Sequence, residues 1–238
     1  MSPLSIGIVD TGVNPWHSHV RGAVAGCRIF VAPADGAIVE DGDFSDPAGH
    51  GTAVAGVIRQ AFPDALLYAV RVFDGAAATY PSLVARGILR AAAAQCAFVN
   101  LSLAVPPGPG ADTIAAACAE AIAAGCVIVA SARPDRPGWL PASLPGVHAV
   151  TADATLADDE VRTLGARRLA AAGRPRDLAA LPRTTNFAGH SFACARGLVA
   201  GGTGISETQF VIEREHAQRV RPVAQFEFTA QQQVRELR

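Results

Sequence analysis

The sequence predicts an α/β fold in which a mainly parallel sheet forms the middle of three layers and carries helices on both faces. Two observations support this prediction. Short, continuous apolar runs recur along the chain, which is typical of strands buried on both faces. Ala-rich segments with helical periodicity separate several of these runs, as crossover helices do between parallel strands.

The individual elements follow from local composition. Strands are predicted at the apolar runs 4–10, 27–32, 65–73, 97–103, 126–131 and 147–152. Helices are predicted at 49–60, 81–95, 111–124 and 191–201. Residues 161–181 stay ambiguous, because Gly165 and Gly173 interrupt two short strand-like pieces.

The last part of the chain differs in composition from the rest. Residues 210–238 are rich in Gln, Arg and Glu and poor in Gly; "AQFEFTA" alternates like a strand and "QQQVRELR" suits a helical turn. We therefore expect one domain over residues 1–204 and a C-terminal appendage over 205–238. The appendage is expected either to pack on the domain or to bind a protein partner.

Composition narrows the classes of function. The formal net charge is −1, and all twenty basic residues are Arg, so neither a general nucleic-acid binder nor a protein of anionic membranes is expected. The five cysteines lack metal-ligand spacing and lie mostly in Ala- and Val-rich runs, which favours buried free thiols. No segment has the build of a signal peptide or a membrane span. We expect a cytoplasmic protein.

Three residues at element boundaries can carry chemistry. Asp10 ends a strand in "IVDTG", His50 begins a helix in "GHGTAVAG", and Ser191 begins another in "GHSFACARG". Taken singly, such residues are more often turn formers or helix caps. Together they supply a nucleophile, its base and the carboxylate that orients the base. The helix start at Ser191 also offers a free N–H to an oxyanion.

Four segments resemble the subtilases, the subtilisin-like serine proteases. "IGIVDTGV" (6–13) is similar to the aspartate motif of the family, and "GHGTAVAGVI" (49–58) to its histidine motif. "FVNLSLA" (98–104) is similar to the strand that binds substrate, and "GHSFACARGLVAG" (189–201) to the serine motif. The four occur in the family's order. The resemblance covers about residues 4–204 and implies the subtilisin-like fold and peptide-bond cleavage through an acyl-enzyme.

The resemblance also implies the roles of the three residues. Ser191 attacks the scissile carbonyl, His50 takes the serine proton and returns it to the leaving amine, and Asp10 orients His50. No cofactor is implied. No metal is expected either, because the Asp-rich piece "EDGDFSD" (40–46) reads as a solvated turn rather than a calcium loop.

Substrate contacts are implied in the same way. The main chain of Ser102, Leu103 and Ala104 is expected to pair with an extended peptide or protein substrate, a form of strand addition. Ser131 and Ala132 are expected in the far wall of the first specificity pocket.

The sequence departs from the family pattern beside the nucleophile and after the strand 126–131. His190 stands where the family has Thr, and Ala195 stands where it has Pro. After the strand, family members carry a small residue, Gly and then Asn, whose amide helps to hold the oxyanion. Here the run is Ala132, Arg133 and Pro134.

Three alternatives for the oxyanion remain open. Arg133 acts as a charged donor, although an Arg beside a Pro is by default a solvated turn residue. Another group, Asn186 or His190, serves instead. Or the oxyanion rests on the backbone N–H of Ser191 alone, which would leave a slow enzyme or an inactive relative.

Three functions follow from these observations. The favoured one is an intracellular serine endopeptidase of narrow specificity that matures a peptide or protein. The second is a catalytically impaired subtilase relative that binds a peptide or a partner protein. The third is acyl transfer to an amine, as in peptide cyclisation.

Overall fold

Nine strands of the residues that the structure describes form one sheet, which is the middle layer. The computed structural model describes residues 4–74, 78–179 and 182–200. The strand order across the sheet is β3-β2-β4-β1-β5-β6-β7-β9-β8. The strands are β1 Ser5–Asp10, β2 Val24–Val31, β3 Ile38–Asp41, β4 Leu66–Arg71, β5 Phe98–Leu101, β6 Val127–Ser131, β7 His148–Ala152, β8 Val161–Gly165 and β9 Arg168–Ala171.

The described helices cover the two faces of this sheet. They are α1 His50–Ala61, α2 Pro81–Ala93, α3 Ala111–Ala123 and α4 His190–Ala200, with a 3-10 turn at Arg183–Thr185. Helices α2 and α3 pack together over one face, and α1 and α4 pack together over the other. The prediction of a three-layer, mainly parallel α/β fold is confirmed.

Strand β1 lies at the centre and shows why its sequence is continuously apolar. It pairs in parallel with β4 on one side and β5 on the other. Ile6 and Ile8 point into the core beneath α1 and α4, whereas Val9 belongs to the core beneath α2 and α3. Since both faces are covered, alternation of apolar with polar residues is not needed here. The strand therefore delivers Asp10 at its carboxyl end, where parallel sheets gather functional groups.

Both edges of the sheet are antiparallel, and the sequence did not predict this. Strand β3 pairs with β2, and β8 pairs with β9, so each edge is a hairpin. Strand β3 was missed because two of its four residues, Glu40 and Asp41, are acidic. The ambiguous stretch 161–181 contains the β8–β9 hairpin, and a register shift between Thr163 and Gly165 explains its weak strand pattern.

The five cysteines are buried free thiols, as predicted. Burial raises the pKa of the thiols of Cys27 and Cys96 to about 11. Burial also raises the pKa of Cys118 and of Cys126 to about 12. The thiols are therefore protonated at neutral pH and act as small apolar side chains.

The expectation about the C-terminal part of the chain remains a prediction. The proposed appendage 205–238, with its strand-like and helical pieces, lies outside the described residues. Among the helices that the structure does describe, none combines the length and the apolar character needed to cross a bilayer.

Candidate active site

Asp10 and His50 form a direct hydrogen bond at the carboxyl end of β1. The distance between His50 Nδ1 and Asp10 Oδ1 is 2.7 Å, and Asp10 is only 2% exposed. A carboxylate only accepts, so Nδ1 carries the proton and Nε2 is left with a lone pair. The backbone N–H of Thr11 donates to the same Oδ1 at 2.7 Å. The imidazole is thereby held in the tautomer that a general base needs.

The backbone around this pair is packed so closely that glycine is required. A Cβ on Gly51 would lie 2.1 Å from the carbonyl oxygen of Gly12. Gly12 itself has φ +110°, in the left-handed region, and a Cβ there would lie 2.3 Å from the carbonyl of Ser45. These contacts give the glycines of the "DTG" and "HGT" motifs a physical reason.

Asp46 is a positioning residue that the sequence analysis missed. Its two oxygens accept hydrogen bonds from the hydroxyl of Thr11, from the backbone N–H groups of Ala48 and Gly49, and from both the N–H and the hydroxyl of Thr52. Gly49 precedes α1 and has no capping side chain, so Asp46 satisfies the Thr52 N–H from outside the helix. This cap fixes the first turn, which carries His50.

The surroundings of His50 raise the pKa of its imidazole above the ordinary value. Burial lowers the pKa of His50, but the charge of Asp10, the hydrogen bond that His50 donates to Asp10 and the charge of Asp46 outweigh it, and the net pKa is raised. Two aromatic rings contact the imidazole, Phe187 at 6.0 Å and Phe192 at 5.5 Å between centroids. The exposed Phe187 also lines the cleft in front of His50.

Ser191 lies in the first turn of α4, and its contacts lead to Ser102. The Ser191 hydroxyl donates to the carbonyl of Ser102 at 3.1 Å, and the Ser102 hydroxyl donates to the carbonyl of Ser191 at 2.9 Å. Within the described residues, no hydrogen bond joins Ser191 to His50. The structure thus joins Asp10 to His50 and Ser191 to Ser102.

A buried polar chain supports Ser102 from below. The amide of Asn100, which is completely buried, donates to Ser102 Oγ at 2.8 Å. Cys194 in α4 donates its S–H to Asn100 Oδ1 at 3.2 Å. The sequence indicates this series of hydrogen bonds, because "FVN" places an amide side chain in a strand that is otherwise apolar.

A cleft of about 590 Å³ opens in front of Asp10 and His50. One wall is the segment after β5, including Ser102, Leu103 and Ala104. Within the described residues, neither the N–H nor the C=O of Ala104 has a backbone partner, whereas Val105 forms a two-way bridge with Leu140. Ala104 therefore presents main-chain groups to any extended chain in the cleft.

Ser131 and Ala132 lie beside that wall. Ser131 Oγ donates to the carbonyl of Leu103 at 3.0 Å and ties the end of β6 to the segment after β5. The N–H of Ala132 donates to the carbonyl of Val150.

The loop after β6 is a tight turn. The N–H of Arg136 donates to the carbonyl of Arg133, which puts Pro134 at the position where its fixed φ favours a turn. The guanidinium of Arg133 pairs with Asp135 at 3.2 Å, and hydrogen bonding to Arg133 lowers the pKa of Asp135. In this arrangement Arg133 is engaged as a solvated turn residue.

The other oxyanion candidates have distinct partners. Asn186 donates its amide to the carbonyl of Arg176 and accepts from Phe187 N–H. His190 Nδ1 accepts the N–H of Ala152 at 2.9 Å, so its proton, when neutral, is on Nε2. Burial, then the charge of Arg133, lowers the pKa of His190.

The backbone N–H of Ser191 is a further candidate donor for a negative charge. Among the described residues it has no backbone partner, whereas Phe192 N–H donates to the carbonyl of Gly189. It also lies at the positive end of α4. No group of three His, Cys, Asp or Glu side chains within the described residues is arranged to hold a metal ion.

Comparison with known proteins agrees with this fold and with the motifs. A sequence profile of the subtilase family matches residues 2–158, well over half of the chain. Subtilisin E of Bacillus subtilis (strain 168) is 29% identical over 140 residues, which are 55% of this chain and 34% of that protein. The match thus spans about a third of the relative's length. The chain belongs to the subtilase family.

Solved structures support the same fold. A cold-adapted subtilisin-like serine proteinase has a TM-score of 0.62 at 23% identity, over 83% of this chain and 73% of that one. An epidermin leader peptide processing serine protease from Staphylococcus aureus has a TM-score of 0.65 at 17% identity, over 92% of this chain and 67% of that one.

Proposed function

We propose that this chain is a serine endopeptidase that cleaves peptide bonds through an acyl-enzyme. The observation that carries the proposal is the 2.7 Å hydrogen bond between buried Asp10 and His50, which leaves His50 Nε2 free to accept a proton. Ser191 donates a hydrogen bond to Ser102, a residue that lines the cleft in front of His50, so the proposed nucleophile lies next to that cleft. Family membership supports the reaction type.

The mechanism begins with rotation of the Ser191 side chain from the carbonyl of Ser102 towards His50, a change between staggered rotamers. His50 Nε2 takes the hydroxyl proton as Ser191 Oγ attacks the scissile carbonyl carbon. His50 then gives that proton to the leaving amine, and an ester remains on Ser191. Water then attacks the ester while His50 takes a proton from it, and the acid leaves as His50 returns that proton to Ser191. Asp10 stabilises the imidazolium in both steps.

For the oxyanion we propose the backbone N–H of Ser191, which is free of backbone partners among the described residues. His190 is the second candidate, because the Ala152 bond leaves its proton on Nε2. Arg133 and Asn186 would first have to leave Asp135 and the carbonyl of Arg176. A site with one donor fewer than its relatives is expected to turn over about 10²- to 10³-fold more slowly.

A fluorophosphonate that reacts only with activated serines tests the proposal. We expect labelling at Ser191, found by peptide mass spectrometry, in the wild-type chain and none in Ser191→Ala or His50→Ala. Ser82→Ala is the control and should be labelled like the wild type, because it removes an exposed hydroxyl of α2 that does not line the cleft. A folded wild-type chain that stays unlabelled would overturn the proposal.

For the substrate we propose one peptide or protein that is matured by a cut, bound as an extended strand along Ser102, Leu103 and Ala104. The main-chain groups of Ala104, which have no backbone partner in the part of the chain that the structure describes, support this mode. The fold shared with an epidermin leader peptide processing protease supports a maturation role. We place this activity in the cytoplasm, in keeping with five buried free thiols, and we propose residues 205–238 as a partner-binding appendage.

A second candidate function is peptide binding without cleavage. It is favoured by the bond that Ser191 makes to Ser102 and by Pro134, which stands where the family has its oxyanion amide. Under this function Ser191→Ala would keep the biological activity of the chain. Acyl transfer to an amine is a third candidate, and mass spectrometry that finds only hydrolysed product would exclude it.

A further inference from the structure

A second cavity, beyond the loop that carries Arg133, has a basic wall. It measures about 720 Å³ and is bounded by residues 132–147, strand β7 and the turn between β8 and β9. Four arginines line it: Arg133, Arg136, Arg167 and Arg168. Among the described residues that line it there is no Asp or Glu. Because the whole chain has a net charge of −1, this is a local excess of positive charge.

The nearby counter-charges do not balance this excess. Asp135 is shared between Arg133, at 3.2 Å, and Arg136, at 3.4 Å. Arg168 is exposed and has neither an ion pair nor a side-chain hydrogen bond among the described residues. Arg133, Arg136 and Arg168 therefore carry three positive charges, and Asp135 supplies one negative charge beside them.

Two of these guanidiniums lie close to the aromatic ring of Trp139. The Arg136 and Arg133 guanidiniums lie 5.0 and 5.9 Å from the centre of its half-buried ring. The exposed Leu164 adds an apolar surface to the same cavity. Preorganised guanidiniums suit the planar carboxylate, and the apolar surface suits the aliphatic part of an acidic side chain.

The cavity adjoins the candidate active site through Thr151. Thr151 lines the cavity, and its hydroxyl lies 3.3 Å from Nδ1 of His190, the residue directly before Ser191. Ala132 also lines the cavity, and it follows Ser131, whose hydroxyl is bonded to the carbonyl of Leu103 in the substrate-binding segment. A peptide that crosses Ser191 therefore passes close to the cavity.

We infer that this cavity is a specificity subsite that binds Asp or Glu side chains of the peptide substrate. The inference rests on the proposed peptide-cleaving function and names the chemistry of its substrate. The net charge of the chain does not indicate this basic cavity, because the acidic residues that balance the arginines lie elsewhere in the chain.

Peptide binding in the Ser191→Ala chain tests the subsite without cleavage. Fluorescence anisotropy would compare a labelled peptide that contains four Asp or Glu residues with its Asn/Gln counterpart. We expect the acidic peptide to bind about tenfold more tightly at low salt, and added salt to reduce that advantage. Adding Arg136→Gln and Arg168→Gln together should weaken the acidic peptide about fivefold to tenfold and leave the neutral peptide unchanged.

A matched control separates the subsite from general charge. Arg21, like Arg168, is exposed and has no described ion pair, so Arg21→Gln should leave binding unchanged while Arg168→Gln weakens it. Equal loss in both variants, or equal binding of the two peptides, would overturn the inference. So would displacement of the acidic peptide by equimolar inorganic phosphate, which would identify a site for free anions.

The assay also distinguishes the two proposals. If the acidic peptide binds as expected but the wild-type chain is never labelled by a fluorophosphonate, the proposed peptide cleavage is overturned and the binding of acidic side chains in this cavity is supported. If labelling occurs without any preference for acidic peptides, only the subsite fails.

Discussion

At the scale of single residues, the charge of His50 controls the proposed reaction. The base must be neutral to accept the serine proton, and protonated His50 cannot do so. Burial opposes protonation, but Asp10 and Asp46 outweigh it and raise the pKa of His50 above its ordinary value. Activity should therefore be full above this raised pKa and fall as the pH drops through it.

Asp10→Asn tests that balance. The substitution removes the charge that raises the pKa of His50 and leaves the lowering effect of burial, so this pKa should fall. Turnover should drop about 10³- to 10⁴-fold, because the amide no longer fixes the required tautomer. NMR titration of the His50 ring in the Ser191→Ala background gives the pKa, and a pH–rate profile gives the turnover. A pKa that does not move would contradict the assignment of Asp10.

Pro134→Asn tests whether the missing amide limits turnover. It returns an amide to the place where the family carries one, in a turn closed by the Arg136–Arg133 hydrogen bond. We expect turnover to rise, by up to about 10²-fold, with little change in KM. Pro134→Ala is the control, since it removes the proline without adding a donor. Equal rates in the two variants would mean that other donors already hold the oxyanion.

At the scale of elements, the sequence predicted what depends on local pattern. The apolar runs became the parallel strands, and the four predicted helices begin within a residue of their expected starts or at them. Strand β3 and the role of Asp46 could not be predicted in this way. A short acidic edge strand looks like a turn, and the partners of Asp46 include Thr11, which is distant in sequence. In the segment "EDGDFSD", Glu40 and Asp41 end β3, and the last residue, Asp46, caps α1.

Asp46→Ala should destabilise α1 and the base that it carries. Loss of the acceptor leaves the first-turn N–H of Thr52 without a partner, at a cost of about 2 kcal/mol in the free energy of unfolding. The pKa of His50 should also fall, because Asp46 contributes to raising it. Urea denaturation measures the first effect. Asp35→Ala, which removes one exposed turn contact to Ala37, is the control and should change stability little.

At the scale of the whole molecule, the sheet that the described residues form has two protected edges. Both edge strands are short, β3 with four residues and β8 with five, and each carries charged side chains such as Glu40 and Arg162. Such edges discourage pairing with a second chain. The candidate site lies far from either edge, beside the central strands β1, β5 and β6.

The buried thiols report on the integrity of this whole structure. In the native protein, a water-soluble aromatic disulfide should find none of the five cysteines reactive, because all are buried and protonated. In denaturant all five should react at once. Absorbance of the released thiolate counts them. Rapid native reaction at one position would show that its part of the core opens locally.

The position of β1 between β4 and β5 has a consequence for synthesis. The first strand is completed only by partners that follow it in the chain, and Ser191 meets Ser102 only after nearly the entire domain has emerged. Non-local pairings of this kind form late in folding. A nascent chain therefore carries Asp10 and His50 long before it carries a nucleophile. Under the proposed function, a chain whose synthesis stops before Ser191 has no nucleophile and therefore no protease activity.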